Sequence, residues 1–243
     1  MQRRKKWTLL TPLCLVLITA AVLDGCSPRD PGHPTPEMCT AQVVAPTSMG
    51  VIYMREIEFR QDKLVNQDGD WNGEFGLLGE LTGEIVPRCS LLATPLPNPL
   101  LAHSYNTGGA NGPGCAYRQG YFFRIYLPAS PDTAGDDRTL GGTRSKPGPE
   151  VRRDVVNLQE QHFALYAWPR RRGTIPKYAI AFFINELGRL HRQKGTKYIG
   201  RDNGPPAEAA YVSHVFTSDI DTSEWAPLYG ATPRNSGKPK EKP

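Results

Sequence analysis

The chain has few of the residue patterns that announce a catalytic or metal centre. Its 5 cysteines include no C-x-x-C pair, which removes the usual frame of a structural zinc site. Its 5 histidines, His33, His103, His162, His191 and His214, fall in neither an H-E-x-x-H nor an H-x-H spacing. No G-x-S-x-G occurs, so an elbow-type serine nucleophile has no support. The glycine-rich pieces at 108–114 and 141–146 lack phosphate-loop spacing and read as plain loops. A large excess of charge is also missing. The formal charge of the 243 residues is +5, and four of the cations, Arg3, Arg4, Lys5 and Lys6, stand in the first six positions. Without residues 1–25 the chain is close to balance, at about +2, which argues against nucleic acid as a partner.

What is abundant is proline and glycine, 23 and 24 residues, about a fifth of the chain. That disfavours a coiled coil, a helical bundle or a multi-span membrane protein. It favours a loop-rich domain with extended arms. Arg3 to Lys6 followed by the apolar run Trp7–Leu23 has the pattern of an export signal. Leu23-Asp24-Gly25-Cys26 then resembles a lipoprotein processing site, with Cys26 as the lipid acceptor and Asp24 as a misfit. Uncleaved anchoring and ordinary cleavage are the alternatives. The expected division is an export segment at 1–25, a proline-rich tether at 26–47, one domain at 48–230 and a basic tail at 231–243. The protein is then exported and held at a membrane or in the cell envelope. Cys89 and Cys115 flank one loop-rich stretch and are the disulfide candidates.

Within the domain, Ser48 caps a predicted helix running to Leu64, with Arg55, Glu56, Glu58 and Arg60 facing water. Gly120–Leu127 reads as a strand, with Tyr121, Phe123 and Ile125 on one face and Phe122, Arg124 and Tyr126 on the other. Residues 128–150 read as a long loop. Phe163–Trp168 is a second strand. Tyr178–Asn185 and Arg189–Arg192 form a hairpin around Glu186-Leu187-Gly188. Tyr121, Phe123, Phe163, Phe182 and Phe183 are the expected core. The fold class expected is α+β, with an N-terminal helix packed on an antiparallel β-meander.

The sharpest local motif is Asp68-x-Asp70-x-Asn72-Gly73. Oxygen ligands at alternate positions followed by a glycine suit the start of a calcium loop, with Glu74 adding its backbone carbonyl. An EF-hand would carry glutamate where Gly79 stands, and Glu80 comes one residue late. Asp68, Asp70, Asn72 and Glu74 are the candidate metal residues and Ca2+ the candidate cofactor. Side-chain capping of a turn explains the same residues. No catalytic residue is assigned. A polysaccharide- or cell-wall-binding surface using Trp71, Tyr105 and the Arg170–Arg172 run is the alternative function. A hydrolase using His103 or His162 is a third.

Taken together, QDGDWNGEFGLLGEL (67–81), GYFFRIYLP (120–128), FALYAWP (163–169), the 172–174 turn and AFFINELGRLHR (181–192) resemble bacterial exported proteins related to type IV pilins and pseudopilins. The resemblance covers roughly residues 48–195. It implies a pilin-like head, a loop that holds calcium, and a structural or interaction role in the envelope, with pilus-like proteins among the partners. It implies no enzymatic activity. Lys6 and Thr11 stand where prepilins carry glycine and glutamate, so a lipid or peptide anchor suits this chain better than filament assembly.

Overall fold

The computed structural model describes residues 36–88, 94–105, 114–140, 152–170, 180–217 and 219–228. The dominant element is a seven-stranded sheet in which every pairing is antiparallel. Its strands are β1 (Ala116–Arg118), β2 (Tyr121–Ser130), β3 (Thr133–Gly135), β4 (Ala164–Pro169), β5 (Phe182–Asn185), β6 (His191–Gln193) and β7 (Trp225–Pro227). The order across the sheet is β1-β2-β4-β5-β6-β7, with β3 paired to the far end of β2. Among the described residues the helices are α1 (Pro36–Gln61), α2 (Leu78–Leu81) and α3 (Arg153–Gln161), with a 3-10 turn at His103–Tyr105. Among the described residues no helix is long and apolar enough to cross a membrane.

This corrects the expected fold. A single helix on a β-meander, the pilin-like head, is not what the chain forms. The sheet is the organising body, and both of its faces are covered. β2 shows why. Tyr121, Phe123, Ile125 and Leu127 enter one buried cluster, while Phe122 and Tyr126 enter another on the opposite face. A strand that is apolar on both sides must be covered on both sides. The alternation read from the sequence is right, and all five expected core aromatics are buried.

The first cluster joins those β2 residues and Phe163, Leu165, Phe182 and Ile184 with Met49, Ile52 and Phe59 of α1 and with Phe75, Leu77, Leu78 and Leu81. The second joins Tyr166, Trp168, Phe183 and Trp225 with Tyr198, Ala207, Ala210, Tyr211, Val215 and Phe216. Most of that covering segment has no regular structure, so its backbone groups need partners from elsewhere. Aromatic side chains supply them. Tyr166 Oη donates to Ala207 O at 2.8 Å, Trp168 Nε1 to Gly200 O at 2.8 Å, Tyr126 Oη to Pro205 O at 3.0 Å and Trp225 Nε1 to Ala209 O at 2.7 Å. Each ring fills the core while its polar tip fastens the chain above it.

α1 starts at Pro36 rather than Ser48 and carries Pro46 inside it. Next to that proline, Thr47 Oγ1 donates to Val43 O at 2.9 Å. The buried positions Ala45, Met49, Ile52, Glu56 and Phe59 follow three- and four-residue spacing. That spacing, and not polarity, decides where Glu56 goes. It lies in the buried stripe rather than facing water, whereas Val51 and Met54 are exposed. β5 begins at Phe182, and Gly188 closes the following turn with φ +69° while its N–H donates to Asn185 O. The start of the expected long loop is part of β2 and β3, residues 136–140 form a turn, and 141–150 lie outside the described residues.

Candidate metal centre

The loop after α1 is held by its own side chains. Asn66 Oδ1 accepts from Gly69 N at 2.8 Å, and Asn66 Nδ2 donates to Asp70 O at 2.8 Å. Asp68 Oδ1 accepts from Asp70 N at 3.2 Å, and Asp70 Oδ1 accepts from Asn72 N at 2.5 Å. Gly69, with φ +74°, makes the bend. Gly73 has a different task. A Cβ there would stand 2.3 Å from Arg60 O and 2.9 Å from Lys63 Cα, so the glycine lets the loop press against the end of α1.

Across from this loop lies the end of α3. Phe75 N donates to Gln159 O at 3.0 Å and Gln67 Nε2 to Gln159 Oε1 at 3.2 Å. Gln159 also donates to Pro128 O at 2.5 Å and accepts from Arg88 Nη1 at 2.7 Å. These bonds fix the helix end and bring the next residue, Glu160, to the loop. Asp68, Asp70 and Glu160 each present a carboxylate oxygen, and the three lie within 4.8 Å of one another. Glu160 is buried, and its Oε1 has no hydrogen-bond partner. Burial pushes its carboxyl pKa up, and the neighbouring Asp70 and Asp68 charges push it further. Three converging carboxylates with an orphaned buried oxygen are what a hard cation would satisfy. The donor set fits an oxygen-seeking divalent ion.

The four metal residues named from the sequence therefore have different places. Asp68 and Asp70 come together. Asn72 Nδ2 donates to Asp70 Oδ2 at 3.1 Å, and the Asn72 side chain also hydrogen-bonds Glu160, so it braces the carboxylates. Glu74 turns into the core, where its Oε1 accepts from Gln67 N at 2.8 Å and its Oε2 has no partner. Burial raises its pKa to about 7, with the Gln67 N–H pulling the other way. Glu160 was missed. Its only sequence signal was the Val155, Val156, Leu158 pattern of a short helix after the long loop.

A second acidic group lies deeper. Glu80, Glu56 and Asp137 are buried, with Arg88 as their counter-charge. Arg88 Nε donates to Glu80 Oε1 at 3.0 Å, and Arg88 Nη2 to Phe75 O at 2.6 Å. Glu56 Oε2 accepts from Gly76 N at 2.8 Å and Asp137 Oδ1 from Gly79 N at 3.0 Å, which leaves one oxygen of each unpartnered. One guanidinium cannot neutralise three buried carboxylates. Desolvation pushes the Glu56 pKa well up and the Asp137 pKa to about 7, and repulsion from Glu80 adds to both shifts.

The remaining candidates are scattered. Trp71 is 89% exposed, whereas Tyr105 is buried with the Arg118 guanidinium over its ring. Arg170 is exposed and lies over the Tyr117 ring; Arg171 and Arg172 lie outside the described residues. His162 Nδ1 is 3.3 Å from Glu186 Oε1, and His103 is exposed in its 3-10 turn. Cys115 is a buried free thiol, and burial raises its pKa to about 11. Cys89 and Cys26 lie outside the described residues. Comparison with protein families, curated proteins and solved structures gives no match for this chain.

Proposed function

We propose that this chain is a non-enzymatic, exported cell-envelope protein with a structural or interaction role, and that its 66–74 loop and Glu160 hold a calcium ion. The observation that carries the reading is the convergence of carboxylate oxygens of Asp68, Asp70 and Glu160, on a buried Glu160 side chain that has one oxygen, Oε1, without a hydrogen-bond partner. An all-carboxylate donor set favours a hard cation over zinc or copper. Three protein carboxylates on a partly exposed loop make a weak site. Calcium modules outside the cell work with Kd values of about 10⁻⁴–10⁻³ M. Such a site would be filled outside the cell, and that agrees with the export pattern of Arg3–Lys6 and Trp7–Leu23. The ion would tie the loop after α1 to the end of α3.

Calorimetric titration of the purified protein and thermal melts with calcium, magnesium or chelator test the reading. Calcium is expected to bind with a Kd of about 0.1–1 mM and to raise Tm. Asp68→Asn with Asp70→Asn is expected to abolish both effects. A melting curve indifferent to calcium and chelator alike would refute it.

A further inference from the structure

We infer that the metal loop is a calcium-dependent saccharide site, with Trp71 as the stacking platform. The inference rests on the calcium reading above and goes beyond it. Trp71 stands between Asp70 and Asn72, at the tip of a loop pinned by Asn66 and by the Asp68 and Asp70 side chains. Its indole is 89% exposed, whereas Trp168 and Trp225 are fully buried. Lys63 Nζ lies 5.0 Å from the ring centroid, and the rest of the ring is open. An exposed indole on a turn that is already ordered loses little further freedom when it binds.

Calcium takes six to eight oxygens, and the protein offers three carboxylates. The remaining positions are for water or for ligand hydroxyls. Two adjacent hydroxyls of a pyranose can replace two such waters. The C–H face of the same sugar can lie on the indole. A saccharide combines a diol and an apolar face within one ring, which suits a cation held by Asp68, Asp70 and Glu160 with the exposed Trp71 next to Asp70 in the chain. A bilayer matches less well. Trp71 is the lone large hydrophobic residue exposed on this aspartate-rich loop, and the other exposed large hydrophobic residues among those described, Val51, Met54, Leu187 and Val212, lie outside it. Insertion into lipid needs a broader apolar surface.

The test uses the full chain with mannan, dextran and peptidoglycan as immobilised probes, each in calcium and in chelator. Calorimetric calcium titration runs in parallel. Retention on at least one probe in calcium is expected, with release by chelator. Trp71→Ala is expected to weaken retention about tenfold or more while calcium affinity stays unchanged. Glu160→Gln is expected to lose both. Absence of retention on all three probes, retention indifferent to Trp71→Ala, or calcium-dependent binding to phosphatidylglycerol vesicles in place of the polysaccharides would each overturn the inference. A chain that binds no calcium in the titration overturns the metal reading itself, so the two failures are told apart.

Discussion

Asp137→Asn isolates one buried proton. Asp137 is shut away from water, accepts one hydrogen bond from Gly79 N and faces the Glu80 carboxylate. Its carboxyl ordinarily titrates at 3.8, and desolvation lifts it to about 7 in the folded protein. The folded state thus holds a proton that the unfolded chain releases. The stability this contributes is complete below the unfolded value and is lost as pH rises toward the folded one. A displacement of that size, at about 1.4 kcal/mol per pH unit, sets a ceiling of roughly 4 kcal/mol. The asparagine is nearly isosteric. Its Oδ1 can keep the Gly79 bond, and its amide points donors toward the neighbouring carboxylates. Urea denaturation of both proteins across about pH 4 to 8 is the assay. At the acid end the two are expected to be nearly equal, because both side chains are neutral. Toward pH 8 the variant should be the more stable by up to that ceiling. Glu56 and Glu74, also raised, leave the variant with a residual slope of the same sign. Parallel curves for the two proteins over the whole range would refute the reasoning.

Two other substitutions test the frame behind the site. Gly73→Ala places a Cβ against the Arg60 carbonyl and is expected to cost about 1–3 kcal/mol and to weaken calcium binding, as read by denaturation and titration. Arg88→Met leaves Glu80 as an unpaired buried charge and should cost about 3–5 kcal/mol; adding Glu80→Gln should recover a large part of that loss in the same assay.

The sheet was legible where a strand is long enough to show its period. β2, β4 and the hairpin around Gly188 come from dense aromatic runs and a glycine turn, and they lie within a few residues of where the pattern puts them. β1, β3, β6 and β7 have three residues each, too few to carry a period, and only β6 was anticipated, through its hairpin. The site was half legible. Asp68 and Asp70 share a local motif, but Glu160 reaches them through tertiary bonds made by Gln159. Burial of Glu56 was hidden because polarity and helical spacing disagree at that position, and packing followed the spacing. The covered second face was hidden because Ala207, Ala210, Tyr211 and Phe216 lie in irregular chain with no pattern to read.

The aromatic tips that fasten the second face bind main-chain oxygens at Gly200, Pro205, Ala207 and Ala209, and make no demand on the side chains there. The instructions for that covering segment are therefore written in the strands beneath it. Its outward-facing residues are free to vary as long as the carbonyls keep their positions and Tyr198, Ala207, Ala210, Tyr211, Val215 and Phe216 stay packed on the sheet. Gly204 is a fixed point, because a Cβ there would meet the Trp168 ring at 2.6 Å. A segment specified from below in this way can change its outer surface without disturbing the sheet, which makes it the natural place for this domain to diversify what it presents to its surroundings.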